Sequence, residues 1–224
     1  MNKNLDTKLL KDIEDFASAF PQVKFKKGEL LYRPGDTFSN IYIFKSGFVR
    51  IYLIAKNGKE VTYDIFNKSL SIILLLFSQA GLENQYYFEA INPVEAWRVP
   101  KEKLINFLEG RPEIFKNLIP LAFVCCQKFF SKTEYLIAGD SKSKVSSVLY
   151  YFASQYGKKK GEEYSIEFPL PHRLIASLTG LTRETVTIQI LKLEKMGIIR
   201  TEGRRLIIKR MEDLKEESVF DSEE

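Results

Sequence analysis

The chain has 224 residues, 45% hydrophobic and 28% charged, with 12 Gly and 8 Pro, a composition that excludes a disordered or fibrous protein and fits one large or two small globular domains. Its net charge of +5 is unevenly spread: residues 140–210 hold 14 Lys/Arg against 7 Asp/Glu, residues 211–224 hold 1 against 7, and residues 1–139 hold 19 against 15. A basic block beside a nearly balanced one points to a polyanionic partner for the C-terminal part.

Along the chain, Leu9, Leu10, Ile13, Phe16 and Ala17 recur at helical spacing and predict a helix over residues 5–20 that Pro21 stops. From Val23 to Trp97 the pattern changes to short β-type runs. Lys27-Gly28 precedes Glu29–Tyr32, Pro34-Gly35-Asp36 is a tight turn, Ile41–Phe44 ends at Ser46-Gly47, and Phe48–Ile54 alternates strongly. Asn57-Gly58 is the type I′ hairpin signal joining that run to Val61–Phe66. Many short strands with turns between them predict a sandwich, roll or barrel.

The helical period returns at Pro112. Phe115, Leu118, Ala122, Cys125, Phe129 and Leu136 form a stripe, widened by Ile119, Cys126, Phe130, Thr133 and Ile137. The stripe is too apolar to face water, so it lies on the β-rich part, pairs with its own copy, or does both. Pro120 predicts a kink or a later helix start. Ala138-Gly139-Asp140 reads as helix stop, hinge and helix start, and Ser141–Tyr156 follows with Val145, Val148, Leu149 and Phe152 on its apolar side. Gly157-Lys-Lys-Lys-Gly161 reads as a flexible basic turn.

Pro171–Thr179 predicts a short helix, Gly180-Leu-Thr182 a sharp turn and Arg183–Met196 a second helix. Gly180 supplies the positive φ of the turn and Thr182 the N-cap. Leu174, Ile175, Leu178, Val186, Ile190 and Leu193 close a small core, which is the pattern of a helix-turn-helix. Ile198–Lys209 then predicts a β-hairpin around Gly203, a wing carrying Arg204 and Arg205.

Residue types missing from the chain narrow the chemistry. Cys125 and Cys126 are adjacent, so there is no disulfide scaffold and a reducing compartment is expected. No signal peptide is expected, and the apolar run Ser71–Phe77 is too short to span a bilayer, so a cytoplasmic protein with no membrane partner is expected. The one histidine, His172, argues against cupin metal sites, Ser-His-Asp triads and zinc sites, and no phosphate-cradling glycine loop occurs. Neither enzymatic activity nor a bound metal is expected.

With Thr182-Arg-Glu-Thr-Val186 as its most specific stretch, and with turns at Lys27-Gly28, Pro34-Gly35-Asp36, Gly47 and Asn57-Gly58, the chain resembles the Crp/Fnr family of bacterial transcription regulators. The resemblance implies an α+β fold: a cyclic-nucleotide-binding-like β-roll (jelly roll) sensor at 1–110, a dimerisation helix and hinge at 111–139, and a winged helix-turn-helix with an acidic tail at 140–224. It implies a homodimer on an inverted-repeat site in double-stranded DNA, with RNA polymerase as a further partner. Arg183 and Glu184 match the family's base-reading pair, suited to guanine O6/N7 and cytosine N4. Thr187 and Ile188 stand where a second arginine is frequent, and Ile188 favours a thymine methyl instead. Thr182 and His172 match backbone-contacting positions, while Arg173, Arg204 and Arg205 suit phosphates. Phe115, Leu118, Ala122, Cys126, Phe129 and Leu136 are the candidate dimer contacts, and Cys125-Cys126 is either a thiol switch across the axis or core packing.

The sensor departs from the family's nucleotide binders. Their Phe-Gly-Glu segment falls here on Ile72-Ile-Leu74, and their Arg-Ser or Arg-Thr pair on Asn84-Gln85. A buried phosphate without arginine would be an unpaired charge costing roughly several kcal/mol, so cyclic AMP is not expected. An iron–sulfur cluster lacks its cysteines and a haem sensor its β-roll histidine, so no cofactor is expected. Ile72, Ile73, Leu74, Asn84, Gln85 and Tyr87 either line an apolar effector pocket or fill it as core. Two alternatives stand beside the regulator: a ligand-independent DNA-binding dimer with a degenerate sensor, and a cupin-like enzyme, which a single histidine outside the β region argues against.

Overall fold

The structure, a computed structural model, describes residues 11–67, 83–203 and 205–220; in the long helix the side chains at 115, 117–119, 121–122 and 124–125 also lie outside the description. Two compact units result, residues 1–53 with 64–128, and 54–63 with 129–224.

In the first unit residues 11–17 are helical and residues 18–20 turn before Pro21, three residues short of the predicted end, while residues 5–10 of that prediction lie outside the described residues. Seven strands follow: β1 (Gln22–Phe25), β2 (Leu30–Tyr32), β3 (Asn40–Ser46), β4 (Val49–Ile54), β5 (Glu60–Phe66), β6 (Tyr87–Ala90) and β7 (Val94–Pro100), then helix α1 (Lys101–Glu109). They form two antiparallel sheets, ordered β1-β7-β3 and β2-β6-β4-β5. Ile41, Ile43, Ile51, Ile65 and Phe88 are buried in the core, with the half-buried Tyr42 alternating between the first two, while Phe44, Tyr52 and Phe66 are buried as well. Tyr32, Phe38 and Phe88 meet edge to face within this core. The result is a β-roll.

Two glycines decide turns here. Gly47 has φ +91°, and a Cβ added to it would lie 2.7 Å from Val94 Cα, so both conformation and space demand glycine. At the β4–β5 hairpin the expected type I′ turn is not the one formed. Among the described residues no non-glycine has positive φ, so Asn57 cannot take the I′ conformation. Instead Gly58 N donates to Ala55 O at 2.8 Å, Gly58 alone takes φ +78°, and Asn57 Oδ1 accepts from Lys59 N at 3.1 Å. The loop is one residue longer, which places the positive φ on the residue that tolerates it.

Helix α2 (Pro112–Ala138) begins at Pro112, a favoured first position, and runs through Pro120 without a break, so the later start is not observed. Its residues to 128 group with the β-roll and those from 129 with the second unit.

The second unit continues with α3 (Ser141–Tyr156), β8 (Gly157–Lys160), β9 (Glu163–Ile166), α4 (His172–Thr179), α5 (Arg183–Lys195), β10 (Ile199–Glu202), β11 (Arg205–Ile208) and α6 (Met211–Glu216). Asp140 caps α3, accepting from Ser143 N at 2.8 Å, and that bond holds its carboxyl below the usual aspartate range. The helix stop and the capped start therefore fall where these residues suggest.

One expectation fails here. The lysine run is not a flexible turn: residues 157–160 are strand β8, at the edge of a sheet ordered β10-β11-β9-β8. Gly161, at φ +65°, makes the turn, while Lys158 pairs with Glu167 at 2.7 Å and the Lys159 ammonium lies 5.6 Å from the Tyr164 ring. The acidic segment after the wing is described as far as residue 220 and is structured there. Leu214 of α6 is fully buried, Glu217 pairs with Lys142, and Phe220 packs near Tyr135 and Tyr150.

Gly47→Ala is expected to destabilise the protein by more than the roughly 1–3 kcal/mol of positive-φ strain, because backbone overlap adds to it. Gly58→Ala, with open space around the new methyl, carries the strain alone. Denaturant titration of both variants checks the order; equal losses would contradict it.

Candidate nucleic-acid interface

The candidate interface grows out of one small core. Leu174, Ile175 and Leu178 from α4 meet Val186, Ile190 and Leu193 from α5, all buried, beneath Val145, Val148 and Leu149 of α3. Gly180 joins the two helices at φ +70°, and Thr182 Oγ1 accepts from Thr185 N at 3.1 Å, satisfying a first-turn N–H of α5. Gln189, also buried, donates from Nε2 to Ser141 Oγ at 3.1 Å and ties α5 to the start of α3.

With that face inside, the opposite face of α5 is fixed. Arg183 and Glu184 are exposed in the first turn, Ile188 and Leu191 are exposed beyond them, and Lys192 and Lys195 are exposed toward the far end. Thr187 is half-buried and serves the fold: its hydroxyl donates to Arg183 O at 2.9 Å and meets His172 Nδ1 at 2.7 Å. A hydroxyl that donates to the carbonyl accepts from the imidazole, so His172 carries a proton on Nδ1.

Arg173, at the start of α4, is exposed but not free. Its guanidinium bonds Glu60 at 2.8 Å, and one turn on the Ser177 and Thr62 hydroxyls meet at 2.7 Å. Both pairs lie within the second unit, to which residues 54–63 belong. In the wing Arg205 is exposed at the start of β11, and Arg204 lies outside the described residues. Arg200 of β10 bonds Glu163 at 2.8 Å and holds that carboxyl below the usual glutamate range. The Glu60, Gln189 and Arg200 contacts span from 37 to 113 residues of chain, and no local spacing signals them.

The candidate effector residues do not act alike. Ile72, Ile73 and Leu74 lie outside the described residues. Asn84 is buried with its carboxamide committed to the loop: it donates to Arg33 O at 2.8 Å and Tyr86 O at 2.7 Å and accepts from Tyr86 N at 3.0 Å. Gln85 is exposed, and Tyr87 stacks on Tyr52 with centroids 5.0 Å apart.

On α2, the side chains of Phe115, Leu118 and Ala122 lie outside the description. Cys126 and Phe129 are exposed and Leu136 is half-buried. The most exposed apolar residues are Phe123 at 68%, Phe130 at 72% and Ile137 at 79%, spaced seven apart. Cys126 and Thr133 fall between them at heptad positions and are also exposed.

Among the described residues, no group of three or more His, Cys, Asp or Glu could hold a metal, and no helix is long and apolar enough to cross a membrane.

A β-roll, a long helix and a winged helix-turn-helix with a basic outward face define a DNA-binding regulator with an effector-binding type of domain. The comparisons agree. The cyclic nucleotide-binding domain model matches residues 22–111 and the Crp-like helix-turn-helix model matches residues 143–217. Among curated proteins the chain is 25% identical over 187 residues to a global nitrogen regulator of Synechococcus elongatus, covering 83% of this chain and 84% of that one. It is 27% identical over 192 residues to a CRP-like cAMP-activated global transcriptional regulator of Mycobacterium tuberculosis, covering 86% and 85%. FixK2 from Bradyrhizobium japonicum shares the fold, with a TM-score of 0.72 at 18% identity over 89% of this chain and 97% of that one. The chain belongs to the Crp/Fnr family of transcription regulators.

Thr182→Ala is expected to cost about 1 kcal/mol of stability, and Thr182→Ser much less, because only the hydroxyl caps α5. Denaturant titration of the two variants measures the difference; equal losses would show that the cap contributes nothing.

Proposed function

We propose that the protein is a non-enzymatic, cytoplasmic regulator that binds an inverted-repeat DNA site as a homodimer, under an effector sensed by the β-roll that is not cyclic AMP. One observation carries this reading: Arg183 and Glu184 stand exposed in the first turn of a helix whose other face is locked in the core. First-turn side chains of a recognition helix reach base edges, arginine suiting guanine and glutamate the cytosine amino group. Thr182, His172, Arg173, Arg204 and Arg205 serve as the phosphate and backbone contacts, and Ile188 favours A·T at the next position.

The homodimer is supported by the exposed heptad Phe123, Cys126, Phe130, Thr133 and Ile137. Large aromatics held in water on one helix face fit a second copy of that face, packed as knobs into holes. This seam lies one residue along from the Phe129 and Leu136 stripe. Lys132 Nζ donates to Thr62 O at 2.6 Å and Tyr63 O at 2.8 Å, which turns the Leu136 side of the helix inward.

The Mycobacterium relative is named for activation by cAMP. Here Ile72-Ile-Leu74 and Asn84-Gln85 stand at the phosphate- and ribose-binding positions of such proteins, and Asn84 has no amide hydrogen left for a ligand. No cofactor is proposed. The effector is of another class, and RNA polymerase remains the further partner.

Selection from random duplexes is expected to return an inverted repeat with half-sites one helical turn apart, about 34 Å. Arg183→Ala is expected to weaken binding by about 1–3 kcal/mol per half-site and to relax preference at one base pair. A non-palindromic site, or an unchanged preference in the variant, contradicts the reading.

A further inference from the structure

Helix α5 exposes a second large apolar side chain beyond the base-reading residues already named. Ile188 is 53% exposed and Leu191 51% exposed. Three residues apart on a helix, they are neighbours on one face. Glu184, Ile188, Leu191 and Lys195 follow at steps of four, three and four, a straight stripe along the outward side. Val186, Ile190 and Leu193 are buried on the other side, so α5 cannot roll to hide the pair.

What covers these aliphatic side chains must be apolar at the point of contact and anionic around it. Arg183 lies at one end of the stripe and Lys192 and Lys195 at the other, all exposed. A major groove meets both demands: phosphates line its walls, and the thymine C5 methyl is the apolar group on its floor. The axial rise from residue 188 to 191 is about 4.5 Å, comparable with the roughly 3.4 Å between stacked bases of one strand. The spacing of the two side chains therefore matches that of neighbouring base pairs.

We propose that Leu191 is a further specificity-determining residue that reads, with Ile188, thymine methyl groups on adjacent base pairs. Each half-site then carries a run of two A·T pairs beside the G·C pair of Arg183 and Glu184. The inference rests on the DNA-binding reading above and names the sequence class that the same helix accepts.

The test uses the full-length protein and the duplex recovered from random-sequence selection. Each thymine is replaced in turn, symmetrically in both half-sites, by deoxyuridine, which deletes the methyl group and leaves base pairing intact. At two adjacent positions the wild type is expected to lose about two- to fourfold in affinity per half-site, the scale of one buried methyl group. Leu191→Ala should become indifferent to uracil at one of these positions and keep its penalty at the other; Ile188→Ala should show the reverse. The wild-type uracil scan needs no variant, so a folding defect in either variant leaves the first half of the test intact. Tight, selective binding with no uracil penalty anywhere, or an unaltered penalty pattern in Leu191→Ala, overturns the inference while the DNA reading stands; the second result assigns Leu191 to a different occupant. Failure of the wild type to select any duplex overturns both.

Discussion

The second unit depends on one packing constraint, the burial of Val186, Ile190 and Leu193 between α3 and α4. Burying each of these side chains contributes about 1.5–3 kcal/mol. An α-helix turns by about 100° per residue, so a slip of one position would replace Leu193 in the core by Lys192 or Glu194. The Gln189–Ser141 bond adds a polar register mark on the same face. Everything outward follows: Arg183 and Glu184 lead, Ile188 and Leu191 come next, and lysines close the stripe. Gly180 and Thr182 make the constraint reachable, one by bending the chain sharply and the other by satisfying the start of α5.

The β-roll obeys a different rule. Its two sheets enclose alternating aliphatic and aromatic side chains, and its loops are held by committed polar groups rather than by vacant ones. Asn84 shows this best, because its carboxamide binds backbone groups of two loop segments. Arg50 and Glu89 on the neighbouring strands β4 and β6 bond at 2.7 Å, with the guanidinium 4.0 Å from the Tyr52 ring.

Much of this was legible in the residues themselves. The helix-turn-helix is written locally, in Gly180, Thr182 and the apolar spacing around them, and so are the hinge at Asp140 and the wing turn at Gly203. Features set by distant partners were not. The lysine run at 158–160 looks like a solvated turn until Glu167 and Tyr164 are brought alongside it. The hairpin turn was misread because Asn57-Gly58 suits two turn types, and the number of loop residues decides between them. Apolar residues lie on several sides of α2, and Lys132 reaching the Thr62 and Tyr63 carbonyls is a contact that no local spacing signals. The Arg173–Glu60 pair joins residues 113 apart and leaves no trace in either neighbourhood.

The central claim is that the outward face of α5 enters a major groove with Arg183 on a guanine. The most direct measurement replaces the half-site guanine with 7-deazaguanine, which removes the N7 acceptor from the major groove and leaves Watson–Crick pairing unchanged. The wild type should lose roughly three- to tenfold in affinity per half-site, a fraction of the 1–3 kcal/mol of a full bidentate contact, and Arg183→Ala should not distinguish the two duplexes. Equal binding of both duplexes by the wild type, or an equal loss in the variant, would contradict the account.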